Sequence, residues 1–265
     1  MRLDPSDDPL ARYSARVHST DRGESSATRA LDRTLRRSPS LSGHGDLVRH
    51  MVATVAREII EGELPSGHQL TSADLGRRFG TSRTPVREAL GVLRREGLVD
   101  IEPRRRPRVA TLSLPEVRDL YAIRASLYAL IAESVIAGAD DDRIARLDAP
   151  LARMWRARDR GDTLAYFDGT VDFRDVEVDI CPNRSVGPLL ESLGLRIHRL
   201  RRFGLSLPGR MDVSVRDYTY LVDAYRARDT DLARAVTRSM MAKALAEIER
   251  HWNRLELAGG SRRTA

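Results

Sequence analysis

Residues 81–103, TSRTPVREALGVLRREGLVDIEP, constrain the fold of this chain more than any other stretch. Thr84 is placed to cap a helix, and Pro85 suits its first turn, where a missing N–H costs nothing. Val86, Ala89, Leu90 and Leu93 recur at helical spacing and form one apolar face, and Gly97 ends the run. Directly afterwards LVDIE and RVATL alternate apolar and polar residues around PRRRPR, the pattern of two short strands joined by a basic hairpin.

The residues upstream supply what that helix packs against. Leu47, Val48, Met51, Val52, Val55, Ile59 and Ile60 recur at spacings of three and four from Asp46 onward, an amphipathic helix that stops at Gly62. ELPSG makes a loop, with Pro65 and Gly67 as breakers. Thr71 or Ser72 then caps a short helix that carries Leu75 and Phe79 and closes at Gly80. Three helices followed by a two-stranded hairpin make a winged helix-turn-helix, expected over residues 44–111.

A helix that enters the major groove reads bases with residues near its N-terminus, where its backbone amides also meet phosphate. Ser82, Arg83 and Thr84 occupy that end here, and Arg87 shares a face with Arg83 and Thr84. Two arginines opposite an apolar stripe suit bidentate contact with guanine O6 and N7. Taken alone they equally describe a solvated helix face. The turn, the Thr-Pro start and the basic hairpin bearing Arg104, Arg105 and Arg106 weigh toward double-stranded DNA.

Composition agrees with this only in part. The formal charge of +7 suits a nucleic-acid partner, but of 45 basic residues only Lys243 is lysine, so arginine use reads as a coding bias. Position therefore matters more than number. The lone cysteine, Cys181, excludes an intramolecular disulfide and fits a reducing cytoplasm. The first residues, MRLDPSDDPL, lack the apolar run of a secretory signal, and no unbroken apolar stretch approaches a membrane span, so no membrane association is expected. Residues 1–43 have few large apolar side chains and read as a disordered arm, or alternatively as a basic arm touching DNA. Residues 257–265 read as a disordered tail.

From Leu114 the pattern is helical almost throughout, with helices expected at 114–138, 141–160, 163–181, 184–204, 212–228 and 230–256. The fold class is therefore mainly α: an N-terminal winged helix-turn-helix followed by an all-helical bundle over residues 112–256.

The stretch from Leu47 to Thr111, with IIEGELPSGHQL, LGRRFG and TSRTPVREALGVLRREGLV, closely resembles the N-terminal domain of the GntR family of bacterial regulators. The resemblance implies phosphate and base contact at Ser82, Arg83, Thr84 and Arg87. Two positions depart from it. Ala73 stands where the family often has a DNA-contacting arginine, and Arg106 where it usually has a glycine that approaches the minor groove. Arg104, Arg105 and Arg108 suggest side-chain contact with phosphate or a narrow minor groove instead.

An all-helical domain behind such a head resembles the FCD branch of that family. YAIRASLYALIAESVIAG looks like its opening helix, VDFRDVEVDICPNRSVGPLLESL like its central segment, and DYTYLVDAYRARDTDLARAVTRSM like its last helical pair. Most FCD domains hold a divalent metal through one Asp and three His. At the matching positions this chain has Thr170, Arg174, Tyr218 and Met240, so the resemblance predicts a sensor with no metal and no cofactor. FCD regulators generally sense small organic acids. Arg174 suits direct pairing with a carboxylate, helped by Arg124, with Tyr218 and Met240 as walls. Surface arginines or internal salt-bridge partners are the plainer reading of both, and a larger, less polar effector also stays open. The expected protein is a cytoplasmic, homodimeric repressor on a palindromic operator, tuned by a small metabolite. The alternatives are a ligand-independent regulator with a degenerate sensor and, lacking any convincing catalytic set, an enzyme with a DNA-targeting head.

Overall fold

The computed structural model describes residues 34–35 and 38–253. In chain order the elements are a 3-10 turn (Pro39–Leu41), α1 (Asp46–Glu61), α2 (Ser72–Arg78), α3 (Arg83–Arg95), β1 (Val99–Asp100), β2 (Arg108–Val109) and α4 (Leu114–Gly138). Then come α5 (Asp141–Ala145), α6 (Asp148–Asp159), α7 (Thr163–Ile180), α8 (Val186–Ser192), α9 (Arg196–Ser206), α10 (Arg210–Arg226) and α11 (Thr230–Arg250). By packing, the chain divides into two units. One joins residues 34–35 and 38–124 to Gly187–Leu200 and 245–253; the other joins Ala125–Val186 to Arg201–Ala244.

The core of the first unit is the stripe expected from spacing. Met51, Val52, Val55 and Ile59 of α1 are buried with Leu75 of α2, Val86, Leu90 and Leu93 of α3, and Val99 and Val109 of the hairpin. Each of these large side chains contributes about 1.5–3 kcal/mol by leaving water. Gly62 closes α1 at φ 83°, a left-handed position that glycine adopts without a Cβ clash. Thr71 caps α2 by accepting from the Asp74 N–H at 3.1 Å.

Three local expectations need correction. Helix α3 starts earlier than Thr84: Ser82 is its N-cap, and Pro85 is its third residue, whose N–H would find no helical partner anyway. The strands are shorter than LVDIE and RVATL, pairing only Val99 with Val109 and Asp100 with Arg108, and Gln69 forms a further antiparallel bridge to Arg108. The segment read as a disordered arm includes the 3-10 turn, with Leu41 and Leu35 buried in the winged-helix core; residues 1–33 and 36–37, and the tail 257–265, lie outside those described.

The second unit is helical throughout. Helices α6 and α7 approach closely at Gly169, where a Cβ would lie 2.7 Å from Met154 Cγ. Gly138, at the end of α4, meets Pro182 in the same way, at 2.5 Å. The helix expected at 141–160 breaks at Arg146–Leu147, because Pro150 lacks an N–H and its ring excludes a helical carbonyl at residue 146. The one expected at 184–204 breaks around Gly194, which sits at φ 69°. Among the described helices α4 is long and apolar enough by length and composition to cross a membrane. Arg118, Asp119, Arg124 and Glu133 interrupt it, and it buries Val117, Ile131, Ala132 and Val135 completely, as a core helix does.

Candidate functional site

The N-terminal end of α3 presents four exposed side chains, Ser82, Arg83, Thr84 and Arg87. They are exposed because Val86, Ala89, Leu90 and Leu93 take the opposite face into the core. Ser82 caps the helix with its backbone alone (φ −75°, ψ 176°), so its hydroxyl and the first-turn N–H groups stay open to an anion. Among the described residues no carboxylate pairs with Arg83 or Arg87. Their neighbours differ: Arg77 pairs with Asp74, and Arg78 with Glu58. Thr71 and Arg77, both hydrogen-bonded to the Asp74 carboxylate, hold it below the usual range, so that acid stays ionised and engaged beside the reading face.

The hairpin tip is exposed across Arg104, Arg105 and Arg106. Arg104 takes φ 62°, a left-handed conformation that costs a non-glycine residue about 1–2 kcal/mol. Arg105 pairs with Glu102 at 2.7 Å, both largely exposed, and Arg106 reaches Gln69 at 3.5 Å. Exposed pairs of this kind contribute roughly 0–1 kcal/mol, too little to keep Arg105 from a phosphate.

In the helical unit, α7 carries Thr170, Phe173, Arg174 and Glu177 at helical spacing, all buried. Arg174 and Glu177 form an ion pair, and the Tyr225 hydroxyl of α10 donates to the same carboxylate. Three rings surround the guanidinium, with Tyr128 centred 4.1 Å, Tyr218 5.0 Å and Phe173 5.9 Å from its carbon. Burial by itself lowers the pKa of Arg174, but the Glu177 carboxylate and the surrounding phenols carry it well above the ordinary value. Burial, then the same carboxylate, pushes the Tyr225 phenol well up, so it remains a donor. Arg201 of α9 donates to the Thr170 carbonyl at 2.7 Å and to the Tyr218 hydroxyl at 3.2 Å. One Arg174 nitrogen, Nη2, has no hydrogen-bond partner among the described residues.

Of the expected sensor residues, the structure therefore brings together Thr170, Arg174 and Tyr218. Met240 is buried on α11, and no polar or ring contact joins it to them among the described residues. Arg124 belongs to the first unit, where it is buried and stacks 4.8 Å from the centre of the Tyr121 ring. No group of three or more His, Cys, Asp or Glu suited to a metal ion occurs among the described residues.

Residues 47–109 match the bacterial regulatory proteins of the gntR family, and residues 119–243 match the FCD domain. The chain belongs to the GntR family, in its FCD branch. It is 26% identical over 177 residues to the uncharacterised HTH-type transcriptional regulator YdhC of Bacillus subtilis, covering 66% of this chain and 79% of that protein. To the HTH-type transcriptional repressor RspR of Escherichia coli it is 25% identical over 184 residues, 69% of this chain and 79% of the relative. Its fold is similar to that of E. coli McbR/YncC, with a TM-score of 0.65 at 19% identity, over 79% of this chain and 100% of the other. It is thus a DNA-binding transcriptional regulator, mainly α, with a winged helix-turn-helix and a helical C-terminal half. The relatives so matched are regulators rather than enzymes.

Within this GntR-family fold, sequence reading missed Glu177, Tyr128, Tyr225 and Arg201. One signal was available for the first: Glu177 stands three residues after Arg174, the spacing of facing side chains on a helix. Tyr128, Tyr225 and Arg201 come from other helices, and only folding brings them to the pair.

Proposed function

We propose that this regulator is a cytoplasmic homodimer that binds an imperfect palindrome and acts as a repressor. Ser82, Arg83, Thr84 and Arg87 make the phosphate and base contacts, and Arg104, Arg105 and Arg106 add contacts from the wing. The observation that carries this reading is the pair Arg83 and Arg87: exposed on one helix face, without a carboxylate partner among the described residues, in a chain whose other arginines are so often paired. A two-fold protein matches a two-fold operator, which is why half-sites related by a dyad are expected. The test is selection of bound duplexes from a random pool, followed by sedimentation of the protein alone and in complex. Half-sites without dyad symmetry, or a monomer on DNA, would sink it.

The helical half is a sensor that works without a divalent metal, with Thr170, Arg174, Tyr218 and Met240 as its effector residues; Arg124, which belongs to the first unit, is not part of this set. Glu177 already neutralises Arg174, so a carboxylate effector has either to displace that partner or to take the remaining Nη2 donor. That same pairing favours a second reading, in which the core is structural and DNA binding is independent of a ligand. A thermal-shift screen of organic acids and apolar metabolites separates the two. A ligand at 100 times its Kd raises stability by about 2.7 kcal/mol. Failure of every compound to shift melting or DNA affinity leaves the ligand-independent reading.

A further inference from the structure

The base of the wing is braced by a residue far from it in sequence. Residues Gly194–Arg199 pack in the first unit, within the winged helix. Leu195 is buried in its hydrophobic core, and its N–H donates to the Glu96 carbonyl at the end of α3, at 3.2 Å. Two glycines allow the approach. A Cβ on Gly194 would lie 2.7 Å from that carbonyl oxygen, and one on Gly97 would lie 2.5 Å from the Arg196 side chain.

Docked in this way, α9 aims Arg199 at the foot of the hairpin. Its guanidinium donates to the Ala110 carbonyl at 3.2 Å and to the Ser66 hydroxyl at 2.7 Å. Ala110 is the residue after β2. Ser66 precedes Gly67, whose N–H donates to the Val109 carbonyl at 2.9 Å, while the Val109 N–H donates back to His68 at 2.9 Å. One guanidinium therefore spans both partners of the bridge that fixes β2 against the turn before α2. Its planar fork serves two acceptors at once, which an ammonium does less well.

We propose that Arg199 is a positioning residue for DNA binding: it sets the angle of the wing and acts on the duplex only through Arg104, Arg105 and Arg106. The proposal rests on the reading that the wing touches DNA, and the test separates the two. Full-length protein would be titrated against a duplex selected by the wild type and against a random-sequence duplex, across a salt series. Arg199→Gln is expected to weaken both. It should also flatten the slope of log K against log salt by about 0.9 for each phosphate contact the wing loses. Arg199→Lys should restore part of the loss. Placed on a wing with Arg104, Arg105 and Arg106 all changed to Gln, Arg199→Gln should add nothing. Ser66→Ala, a milder change should Arg199→Gln fold poorly, is expected to show the same lack of additivity. A full additional loss on the neutral wing, or no loss from either substitution on the intact wing, overturns the brace. If neutralising the wing itself changes nothing, the wing reading fails first and the brace with it.

Discussion

The reading face of α3 and the core around α7 use the same side chain in opposite ways. Arg83 and Arg87 are exposed and meet no carboxylate among the described residues. Arg174 is buried, paired with Glu177 and enclosed by Tyr128, Phe173 and Tyr218. In a chain whose basic residues are nearly all arginine, the residue type says little about role. Partnership and burial separate the two: an exposed guanidinium keeps its donors for an incoming acceptor, whereas a buried one is held by the acid that makes its burial affordable.

The largest expected effect would come from breaking the buried set. Arg174→Ala strands the Glu177 carboxylate in the core and should lower stability by about 3–5 kcal/mol, read from urea unfolding. Replacing both partners by apolar residues, Arg174→Met with Glu177→Leu, should recover much of that loss, because no charge is left unpaired. A single substitution no worse than the double would mean that water reaches the pair and that the contrast with α3 is overstated.

On the exposed side the signature inverts. Arg83→Ala or Arg87→Ala should cost about 1–3 kcal/mol of affinity for a selected duplex and relax its sequence preference. The melting temperature should stay where it is, since neither side chain supports the fold. Wild-type affinity in either variant would put the reading face elsewhere.

A smaller effect is expected from the wing. Changing Arg104, Arg105 and Arg106 together to Gln should weaken specific and random duplexes alike and lower the salt slope by about 0.9 per lost phosphate contact. Loss confined to the specific duplex would instead make the wing a reader of base edges. The smallest change is in stability: Arg104→Gly relieves the φ 62° conformation, but glycine has more unfolded-state freedom to lose. The net gain should be no more than about 1 kcal/mol, visible as a slight rise in melting temperature. A fall would show that the Arg104 side chain makes a contact that outweighs the strain.

The sequence by itself determined the elements that local chemistry dictates. The spacing of Met51, Val52, Val55 and Ile59, the glycine stop at Gly62, the stripe on α3 and the basic hairpin were all legible, because each depends on residues a few positions apart. The breaks at Pro150 and Gly194 were present in the sequence too, but apolar periodicity runs through them and hid them. What only the tertiary structure decided is partnership over distance. Tyr225 and Glu177 meet across 48 residues of chain, Arg199 and Ser66 across 133, and Leu195 enters a core built mainly from residues before 110. No local pattern encodes such pairings, since a buried charge or carbonyl can be satisfied by a donor from any element, and packing alone selects which one arrives.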